Sequence, residues 1–471
     1  MCALVNAKDK APPALLQIAR STQDALFTEL SGDFMIFLEG GQRLATNALY
    51  EFANAVNLDP EVDLIYGDED TCSASGKRSN PFHKPAWSPD YLESFNYIGF
   101  PACFRSTVAS ACRDYGCIYD MVLQFTERTT RIQHVGKVLG HGSQQVHDDA
   151  RLERTSVNNV VALQRRLSRT GRNGMVREHE LHRGCYDIKL ELSGVPLVSI
   201  IIPTAGKTVY VDGHGVDLIV NIIEQITSRS TYKNIEIIVV DNGDLSGRQQ
   251  QTLTKKGCKK ITFSDPVFNI SKKLNLGASI ASGELFLLMN DDIEILTPDW
   301  IERMIEHFEK PHVGVVGAKL LYPDGRTQHV GVVHNSGNPD HVRRLFPSNE
   351  AGYYFSTYGV RNYMAVTGAV MMTTSELYRA VGGYSEELAV SYNDADFCLK
   401  VRETGRWIVY APKVELTHME SQSRVASADM GEVAWYHKRW AAHTVSDPYY
   451  NERFLTVASP TFEPCVNRRV L

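Results

Sequence analysis

Three polar residues, Asn290, Asp291 and Asp292, directly follow the apolar segment ELFLLM. Carboxylate and amide oxygens are the ligands that Mg²⁺ prefers, and Mg²⁺ commonly takes one or two carboxylates and completes its shell with water and substrate phosphates. Asn290 and Asp292 therefore predict a site for Mg²⁺ or Mn²⁺. The alternative is a turn before a helix that has Thr297 as its N-cap, because Asp and Asn are common in turns.

Other residues with chemical potential also lie at the ends of apolar segments. Asp241 ends IEIIVVD, where its carboxylate could accept hydrogen bonds from a base or a ribose. His418 ends WIVYAPKVELTH, where a neutral imidazole could complete a metal shell. Asp394 stands at the predicted start of a helix and could act as a general base, which typically contributes roughly 10²–10⁴-fold to a rate. Asp396 is predicted to fix that helix start or a neighbouring side chain. Taken alone, Asp241 is as readily an ordinary strand-end residue, whereas a capping role for Asp394 and a structural role for His418 are the favoured interpretations.

These residues need a sheet that brings strand ends together. PLVSIIIPT, IEIIVVDN, ELFLLMNDD and VGVVGAKLL are near-continuous apolar runs, typical of parallel strands covered on both faces. Helical patterns lie between them, so the sequence predicts a doubly wound, mostly parallel α/β sheet. Ligands of such sheets bind beyond the carboxyl ends of the strands. Neither G-x-G-x-x-G opening a helix nor G-x-x-x-x-G-K-[ST] follows the first strand, which disfavours a dinucleotide fold and a phosphate loop.

The sequence contains an imperfect internal repeat. The block SGDFMIFLEGG, from Ser31, resembles SGELFLLMNDD, from Ser282, and the block ending at His141 resembles the one ending at His418. The first copy is shorter in front, and it has glycine and isoleucine where the second has Asp292 and Asp394. We therefore expect a truncated, inactive copy, with a packing or acceptor-binding role, followed by a complete one.

The predicted organisation has four parts. They are the truncated copy at 1–145, a helical and basic linker at 146–195, a catalytic domain at 196–425 and a C-terminal helical tail at 426–471. The arginines of the linker could touch an anionic membrane surface. Because they are interleaved with polar residues, a solvated connecting helix is the favoured interpretation.

Composition limits the class of protein. Of the 471 residues, 43% are hydrophobic and 22% are charged, as in soluble globular proteins, and a net charge of −6 argues against nucleic-acid binding. The nine cysteines form no C-x-x-C pair, which indicates free thiols in a reducing compartment. No apolar stretch approaches the ~18–20 residues that span a bilayer, and the N-terminus lacks the apolar run of a signal peptide. We therefore predict a cytoplasmic location, with at most peripheral contact at the inner face of the cytoplasmic membrane.

Together these blocks resemble family-2 glycosyltransferases of the GT-A fold. The resemblance covers residues 196–455 almost continuously, through VSIIIPT, IEIIVVDNGD, FNISKKLNLGASIASGELFLLMNDDIEILTPDW, VGVVGAKLLYPDGRTQHVGVV, AVTGAVMM, VGGYSEELAVSYNDADFCLKVRETG and HMES. The chain looks most similar to multidomain members that build bacterial surface polysaccharides such as O-antigens and rhamnans. Its first copy resembles a second subtype found upstream in those proteins, through IYGDED and TERTTRIQHVGKVLGH.

The resemblance implies a role for each candidate residue. Asp394 stands at the position of the catalytic base. Asn290 and Asp292 stand at the D-x-D metal motif, with Asn in place of the usual first Asp, and His418 matches a metal-associated histidine. The residues that the resemblance assigns to the nucleotide-sugar are Pro203, Thr204, Asp241, Asn275, Gly277, Asp291, Gly368 and Ala369.

The resemblance also implies an inverting, metal-dependent reaction. A sugar would pass from a nucleotide-diphosphate sugar to a saccharide or lipid-linked saccharide acceptor, with Mg²⁺ or Mn²⁺ at the diphosphate and Asp394 taking the proton of the acceptor hydroxyl. UDP-, GDP- and dTDP-sugars are open as donors, and dTDP-rhamnose is the family-level expectation. Two other classes stay open: a non-catalytic scaffold or sugar-binding subunit of a polysaccharide assembly complex, and a nucleotidyltransferase, which the lack of a Gly-rich basic loop disfavours.

Overall fold

The fold is known from a computed structural model, and each of two compact units has its own sheet. The structure describes residues 2–5, 32–39, 41–143, 149–211, 214–335, 337–419, 429–454 and 460–462. The first unit runs to Ile188 and the second begins at Lys189.

The described part of the first unit combines a mixed sheet with five helices. Its strands are β1 (Cys2–Val5), β2 (Phe34–Phe37), β3 (Arg43–Leu44), β4 (Leu64–Cys72), β5 (Arg78–Phe82), β6 (Ala102–Arg105) and β7 (Ile132–Ser143), followed by a hairpin of β8 (Gly174–His179) and β9 (His182–Leu190). Its described helices are α1 (Ala48–Leu58), α2 (Pro89–Ser94), α3 (Ser106–Ala109), α4 (Ile118–Thr126) and α5 (Asp149–Arg169). The sheet has the order β1-β2-β6-β4-β7-β3, and β5 pairs with β4.

The second unit contains the longer sheet. Its strands are β10 (Val198–Pro203), β11 (Thr208–Val211), β12 (His214–Asp217), β13 (Ile235–Asp241), β14 (Lys259–Thr262), β15 (Leu285–Met289), β16 (Ile293–Ile295), β17 (Val313–Leu321), β18 (Thr327–His329), β19 (Val332–Asn335), β20 (Asn338–His341), β21 (Arg361–Tyr363), β22 (Val370–Thr374) and β23 (Trp407–His418). Its helices are α6 (Leu218–Arg229), α7 (Gly247–Lys255), α8 (Ile270–Ser279), α9 (Trp300–Ile305), α10 (Ser375–Ala380), α11 (Asn393–Glu403) and α12 (Met430–Thr444). Two short 3₁₀ helices lie at Glu306–Glu309 and Tyr353–Phe355.

The long sheet has the order β14-β13-β10-β15-β22-β17-β23-β16. Strands β14, β13, β10 and β15 are parallel, β17 and β23 are parallel, and β22 and β16 run antiparallel to their neighbours. Ile200 and Ile202 join one buried cluster with α6 and α9, whereas Ile201 joins another with α8 and α11 on the opposite face. The predicted doubly wound, mostly parallel α/β sheet is therefore confirmed.

The start of α9 differs from the sequence prediction. The helix begins at Trp300 after Asp299, rather than with Thr297 as its N-cap. The Thr297 hydroxyl instead donates to the backbone oxygen of Glu415 and accepts from its N–H, both at 3.1 Å. The Thr297 side chain therefore bonds strand β23, which is far away in the sequence, and does not cap the helix as local rules predict.

The first unit repeats the topology of half of the second. The run β2-β6-β4-β7-β3 has the same strand directions as β15-β22-β17-β23-β16. His141 lies opposite Arg43 and His418 lies opposite Ile293, so the two histidines are equivalent by register. This register puts Gln42, one residue beyond the glycine aligned by sequence, at the position of Asp292. Within the described residues, the first unit has no counterpart of β13 and β14.

The arginine-rich helix α5 belongs to the first unit rather than to a separate linker. Its Leu163 and Leu167 are buried, and Arg166 donates to Glu93 at 2.7 Å. Arg169 pairs with Glu127 at 2.8 Å. Arg166 and Arg169 are therefore paired within the first unit, whereas the sequence favoured a solvated connecting helix.

A buried carboxylate organises the IYGDED segment of the first unit. Asp68 is fully buried and accepts hydrogen bonds from His134 Nε2 at 2.8 Å, His83 Nδ1 at 3.1 Å and the backbone N–H of Lys84 at 3.0 Å. Burial alone would raise the pKa of Asp68, but the hydrogen bonds from His134 and His83 outweigh it and lower the pKa to about 2. The ionised carboxylate therefore stabilises the folded unit.

Replacing Asp68 with asparagine is expected to lower the free energy of unfolding of the first unit by about 2 kcal/mol at pH 7, since one pKa unit corresponds to ~1.4 kcal/mol. The folded pKa lies below the unfolded one, so this contribution is complete above pH ~4 and is lost as the pH falls towards 2. Urea denaturation at several pH values measures it, with exposed Asp59→Asn as the control. An equal difference at every pH would contradict the assignment.

Among the described residues, no helix is long and apolar enough to cross a membrane. The seven cysteines whose side chains are described are all free thiols. The cytoplasmic location stays a prediction.

Candidate functional site

The carboxyl ends of β10, β13 and β15 meet at one edge of the sheet, as predicted from the apolar runs. Pro203 is the last residue of β10, and the Thr204 hydroxyl that follows donates to Asp291 Oδ2 at 2.6 Å. The buried Lys273 amine donates to the backbone oxygen of Thr204 at 3.0 Å. Thr204 and Asp291, which are far apart in the sequence, therefore form one wall of the candidate site.

Asp241 is fully buried at the end of β13. Its Oδ1 accepts a hydrogen bond from the Thr262 hydroxyl at 2.7 Å, and the Lys260 amine lies 3.5 Å from its Oδ2. Within the described part of the chain, Oδ2 accepts no hydrogen bond. Because buried polar atoms are normally hydrogen-bonded, this oxygen is suited to accept an N–H or O–H group from a ligand.

The predicted metal ligands come together around one imidazole nitrogen. His418 Nε2 lies 3.1 Å from Asp292 Oδ1 and 3.2 Å from Asn290 Nδ2. The other ring nitrogen, Nδ1, lies 2.7 Å from Gln328 Oε1. Pairing of His418 with Ile293 across β23 and β16 places the histidine beside the end of β15.

This donor set fits a divalent cation that shares its shell with a substrate. It offers one carboxylate, one imidazole nitrogen and one amide, and Mg²⁺ commonly takes few protein ligands and completes its shell with phosphate oxygens. Within the described ranges, no group of three or more His, Cys, Asp and Glu side chains is arranged to hold a metal alone. The site is therefore suited to a cation that arrives with, or is completed by, a diphosphate.

Asp394 lies in the first turn of α11 and faces the segment Gly368–Ala369. Its Oδ2 accepts the N–H of Gly368 at 2.9 Å. The next residue of the segment, Ala369, accepts the N–H of Asn290 through its backbone oxygen at 3.0 Å. A Cβ on Gly368 would come within 3.2 Å of the Asp394 Cβ. Gly368 and Ala369 thus join the candidate base to the candidate metal ligands.

Asp396 has a different environment from Asp394. It is fully buried, its Oδ1 accepts the indole N–H of Trp440 at 2.9 Å, and its Oδ2 accepts the Ser385 hydroxyl at 2.7 Å. Trp440 lies on α12, so the predicted C-terminal tail contributes a helix to the core of the second unit. Asp396 therefore fixes its neighbours, as the sequence predicted, and leaves Asp394 as the carboxylate beside the candidate metal ligands.

Asn275 and Gly277 make contacts within the protein. The Asn275 side chain accepts from the Tyr378 hydroxyl at 2.7 Å and from the Tyr384 backbone N–H at 2.9 Å. A Cβ on Gly277 would lie 2.5 Å from Ile201 Cγ2. These contacts explain both residue types by packing of α8, and their role at the nucleotide-sugar stays a prediction.

The substitution Gly277→Ala tests whether this glycine serves the packing of α8 or the binding of the nucleotide-sugar. The added methyl group must displace the β10 side chains, which is expected to destabilise the second unit by about 1–3 kcal/mol. Urea denaturation measures the loss, and Gly247→Ala in α7, where an added Cβ has open space, is the matched control. A weaker affinity for nucleotide at unchanged stability would instead assign Gly277 to the ligand.

Sequence reasoning missed three residues that lie next to the candidate site, namely Gln328, His329 and His341. Gln328 contacts His418, and its backbone oxygen accepts from His341 Nδ1 at 3.1 Å. His329 Nε2 accepts the N–H of Thr367 at 3.4 Å, and burial lowers the pKa of His329 well below its usual value, so that it stays neutral. The available signal was a pair of polar side chains, Gln and His, directly before the apolar run VGVV.

The chain is similar to several known proteins. Residues 199–367 match the model of Glycosyl transferase family 2. The chain is 33% identical over 450 residues to the "Uncharacterized protein y4gI" of Sinorhizobium fredii, which covers 89% of this chain and 48% of that protein. It is 31% identical over 460 residues to the O-antigen biosynthesis protein RfbC of Myxococcus xanthus, which covers 94% of this chain and 35% of that protein. The structure of GalNAc-T7 with UDP, GalNAc and Mn²⁺ aligns with a TM-score of 0.44 and 11% identity over 57% of this chain and 52% of that one.

The chain thus spans about half, or less, of the length of these two relatives. The family match contains Thr204, Asp241 and the segment from Asn290 to Asp292. Asp394 and His418 lie beyond the match but in the same compact unit. Residues 199–367 of the second unit are therefore similar to glycosyl transferase family 2.

Proposed function

We propose that the second unit transfers a sugar from a nucleotide-diphosphate sugar to a saccharide acceptor in a metal-dependent reaction. The observation that carries this proposal is the connection of two chemical groups through Gly368–Ala369. Asp394 binds the N–H of Gly368 on one side, and Asn290 donates to Ala369 on the other. The candidate base and the candidate metal ligands thus lie at the two ends of one dipeptide. This arrangement suits a sugar that has the acceptor hydroxyl on one side and the diphosphate on the other.

The nucleoside end of the donor is proposed to bind at β10 and β13. Asp241 Oδ2 is buried and accepts no hydrogen bond within the described residues, so it can receive a donor group of a base or ribose. Thr204 and Asp291, joined at 2.6 Å, provide polar oxygens beside it on the same sheet edge. Pro203 ends β10 and sets the direction in which the chain leaves the strand.

The diphosphate is proposed to bind at Asn290, Asp292 and His418, which would hold Mg²⁺ or Mn²⁺. The cation supplies Lewis-acid stabilisation of the charge that develops on the leaving nucleoside diphosphate. Asp292 contributes the carboxylate, and His418 contributes Nε2, which lies 3.1 Å from Asp292 Oδ1.

Asp394 is proposed to act as the general base. It takes the proton of the acceptor hydroxyl while the hydroxyl oxygen bonds to the anomeric carbon and the bond from that carbon to the diphosphate oxygen breaks. A single displacement of this kind inverts the anomeric configuration. The N–H groups of Gly368 and Ala395, at 2.9 and 2.8 Å, hold the carboxylate in a fixed orientation for the proton transfer.

The biological product is proposed to be a bacterial surface polysaccharide. This rests on similarity to the O-antigen biosynthesis protein RfbC, of which the chain covers 35%. A saccharide or lipid-linked saccharide is then the acceptor, and a dTDP-sugar such as dTDP-rhamnose is the first donor to test, ahead of UDP- and GDP-sugars.

The first unit is proposed to be inactive in sugar transfer and to serve packing or acceptor binding. Its His141, the counterpart of His418, has Nδ1 bonded to Asp70 Oδ1 at 2.6 Å. Arg78 also pairs with Asp70 at 2.5 Å. The first unit thus keeps a histidine with a bonded Nδ1, but Gln42 stands at the position of Asp292 and Ile118 at the position of Asp394, so both carboxylates of the proposed reaction are missing.

Calorimetric titration of UDP, dTDP and GDP, each with and without Mn²⁺, tests the proposed function. Binding of one nucleotide that requires Mn²⁺ is the expected result, and sugar transfer from the corresponding donors then identifies the substrate. If the folded protein binds none of the three nucleotides, the catalytic proposal fails and the scaffold function takes its place.

A further inference from the structure

We propose that Gln328 is a positioning residue that keeps the His418 proton on Nδ1 and so presents Nε2 to the metal. The inference rests on the proposed function, because it concerns the cation site of that reaction. Metal binding requires an imidazole nitrogen with a free lone pair, and the partner of the other nitrogen decides which one has it.

The Gln328 amide contacts His418 at two points. Its Oε1 lies 2.7 Å from the ring Nδ1, and its Nε2 donates to the His418 backbone oxygen at 3.4 Å. The second contact fixes which end of the amide faces the ring. An amide oxygen can only accept, so Nδ1 must carry the proton. When the ring carries this one proton, its lone pair is on Nε2, where Asn290 Nδ2 donates to it at 3.2 Å.

The alternative tautomer would block the site. With the proton on Nε2, the ring would turn an N–H towards the amide nitrogen Nδ2 of Asn290, 3.2 Å away. No lone pair would then face the cation site, and a cation could bind His418 only after that proton had moved. By accepting at Nδ1, Gln328 makes this tautomer unfavourable.

Gln328 is itself held rigidly on β18. The residue is 4% exposed, and β18 pairs with β17 through His329 and Leu320. The Gln328 backbone oxygen accepts from His341 Nδ1 at 3.1 Å. The contact with His341 uses the main chain of Gln328, so a substitution of the Gln328 side chain leaves it in place. Such a substitution removes only the contacts of the side chain with His418.

The test compares Gln328→Met, which removes the acceptor at similar length, with Gln328→Glu, which retains one. The affinity for Mn²⁺ is measured by calorimetry in the presence of the nucleotide that the wild type binds, without an acceptor. Gln328→Met is expected to weaken Mn²⁺ binding by roughly 10–100-fold, the usual effect of losing such a partner, whereas Gln328→Glu stays within a few-fold of wild type. The matched control is Gln124→Met, which removes a buried glutamine side chain in the first unit.

Nitrogen NMR of metal-free protein with labelled histidine shows which ring nitrogen of His418 carries the proton. A purely structural role of Gln328 would not change this position. The wild type is expected to show His418 protonated at Nδ1, and Gln328→Met is expected to move the proton to Nε2. His418→Gln, which removes the signal, assigns it.

The inference is overturned if Gln328→Met keeps either the wild-type Mn²⁺ affinity or the wild-type tautomer, or if Gln328→Glu loses as much affinity as Gln328→Met. If the wild type binds Mn²⁺ and Asp292→Ala does not, such results overturn only the role of Gln328. If the wild type itself binds no Mn²⁺, the proposed function falls as well.

Discussion

Replacing Asp394 with asparagine is expected to lower kcat for sugar transfer by roughly 10²–10⁴-fold, the usual contribution of a general base. Asparagine keeps an oxygen that can accept the Gly368 N–H, now 2.9 Å from the carboxylate, so the local geometry is retained while the basic group is lost. The affinity for the donor nucleotide is therefore expected to change little. Steady-state kinetics with the identified donor and acceptor, together with calorimetry of the nucleotide, measure both quantities.

Asp396→Asn is the matched control for this prediction, because it makes the same chemical change two residues away. Asp396 bonds Trp440 and Ser385, and the Lys400 amine lies 3.6 Å from its Oδ2, so its loss should reduce the stability of the second unit. It should not reproduce the large loss of kcat in protein that remains folded. If Asp394→Asn kept wild-type kcat, the base would have to be another residue.

Replacing Asp292 with alanine is expected to abolish Mn²⁺-dependent binding of nucleotide and to lower kcat/KM by at least roughly 100-fold, since Lewis-acid stabilisation is worth several kcal/mol. Asp292 supplies the carboxylate of the proposed cation site, 3.1 Å from His418 Nε2. Alanine leaves an amide and an imidazole, which are poor ligands for a hard cation without a carboxylate. Titration of Mn²⁺ and nucleotide measures the first effect, and transfer kinetics measure the second.

Asp324→Ala is the control for Asp292, because Asp324 lies in an exposed turn and pairs with Arg326. It should leave both measurements at the wild-type level. Wild-type affinity in Asp292→Ala would show that the strand-end carboxylates form a turn and hold no cation, and the diphosphate would need another binding site.

The sequence by itself determined the sheet of the second unit and the edge at which its polar residues gather. Parallel strands buried on both faces need unbroken apolar runs, and their polar residues can only appear where each strand ends, so Asp241 and Asn290 were found by local pattern. The helix start at Asn393 also follows from local rules. The repeat was visible because strands β2 and β15 preserve their apolar character.

Only the tertiary structure decided which side chains meet. Gln328 contacts His418 across 90 residues of sequence, and Thr297 leaves its predicted cap to bond Glu415 across 118. The arginines of α5 have an interleaved pattern typical of a solvated helix, yet Arg166 is buried against Glu93. Periodicity records which face of an element is apolar, because that depends on near neighbours. The partner of a polar side chain depends on which strands lie side by side, and that is set by the packing of the whole sheet.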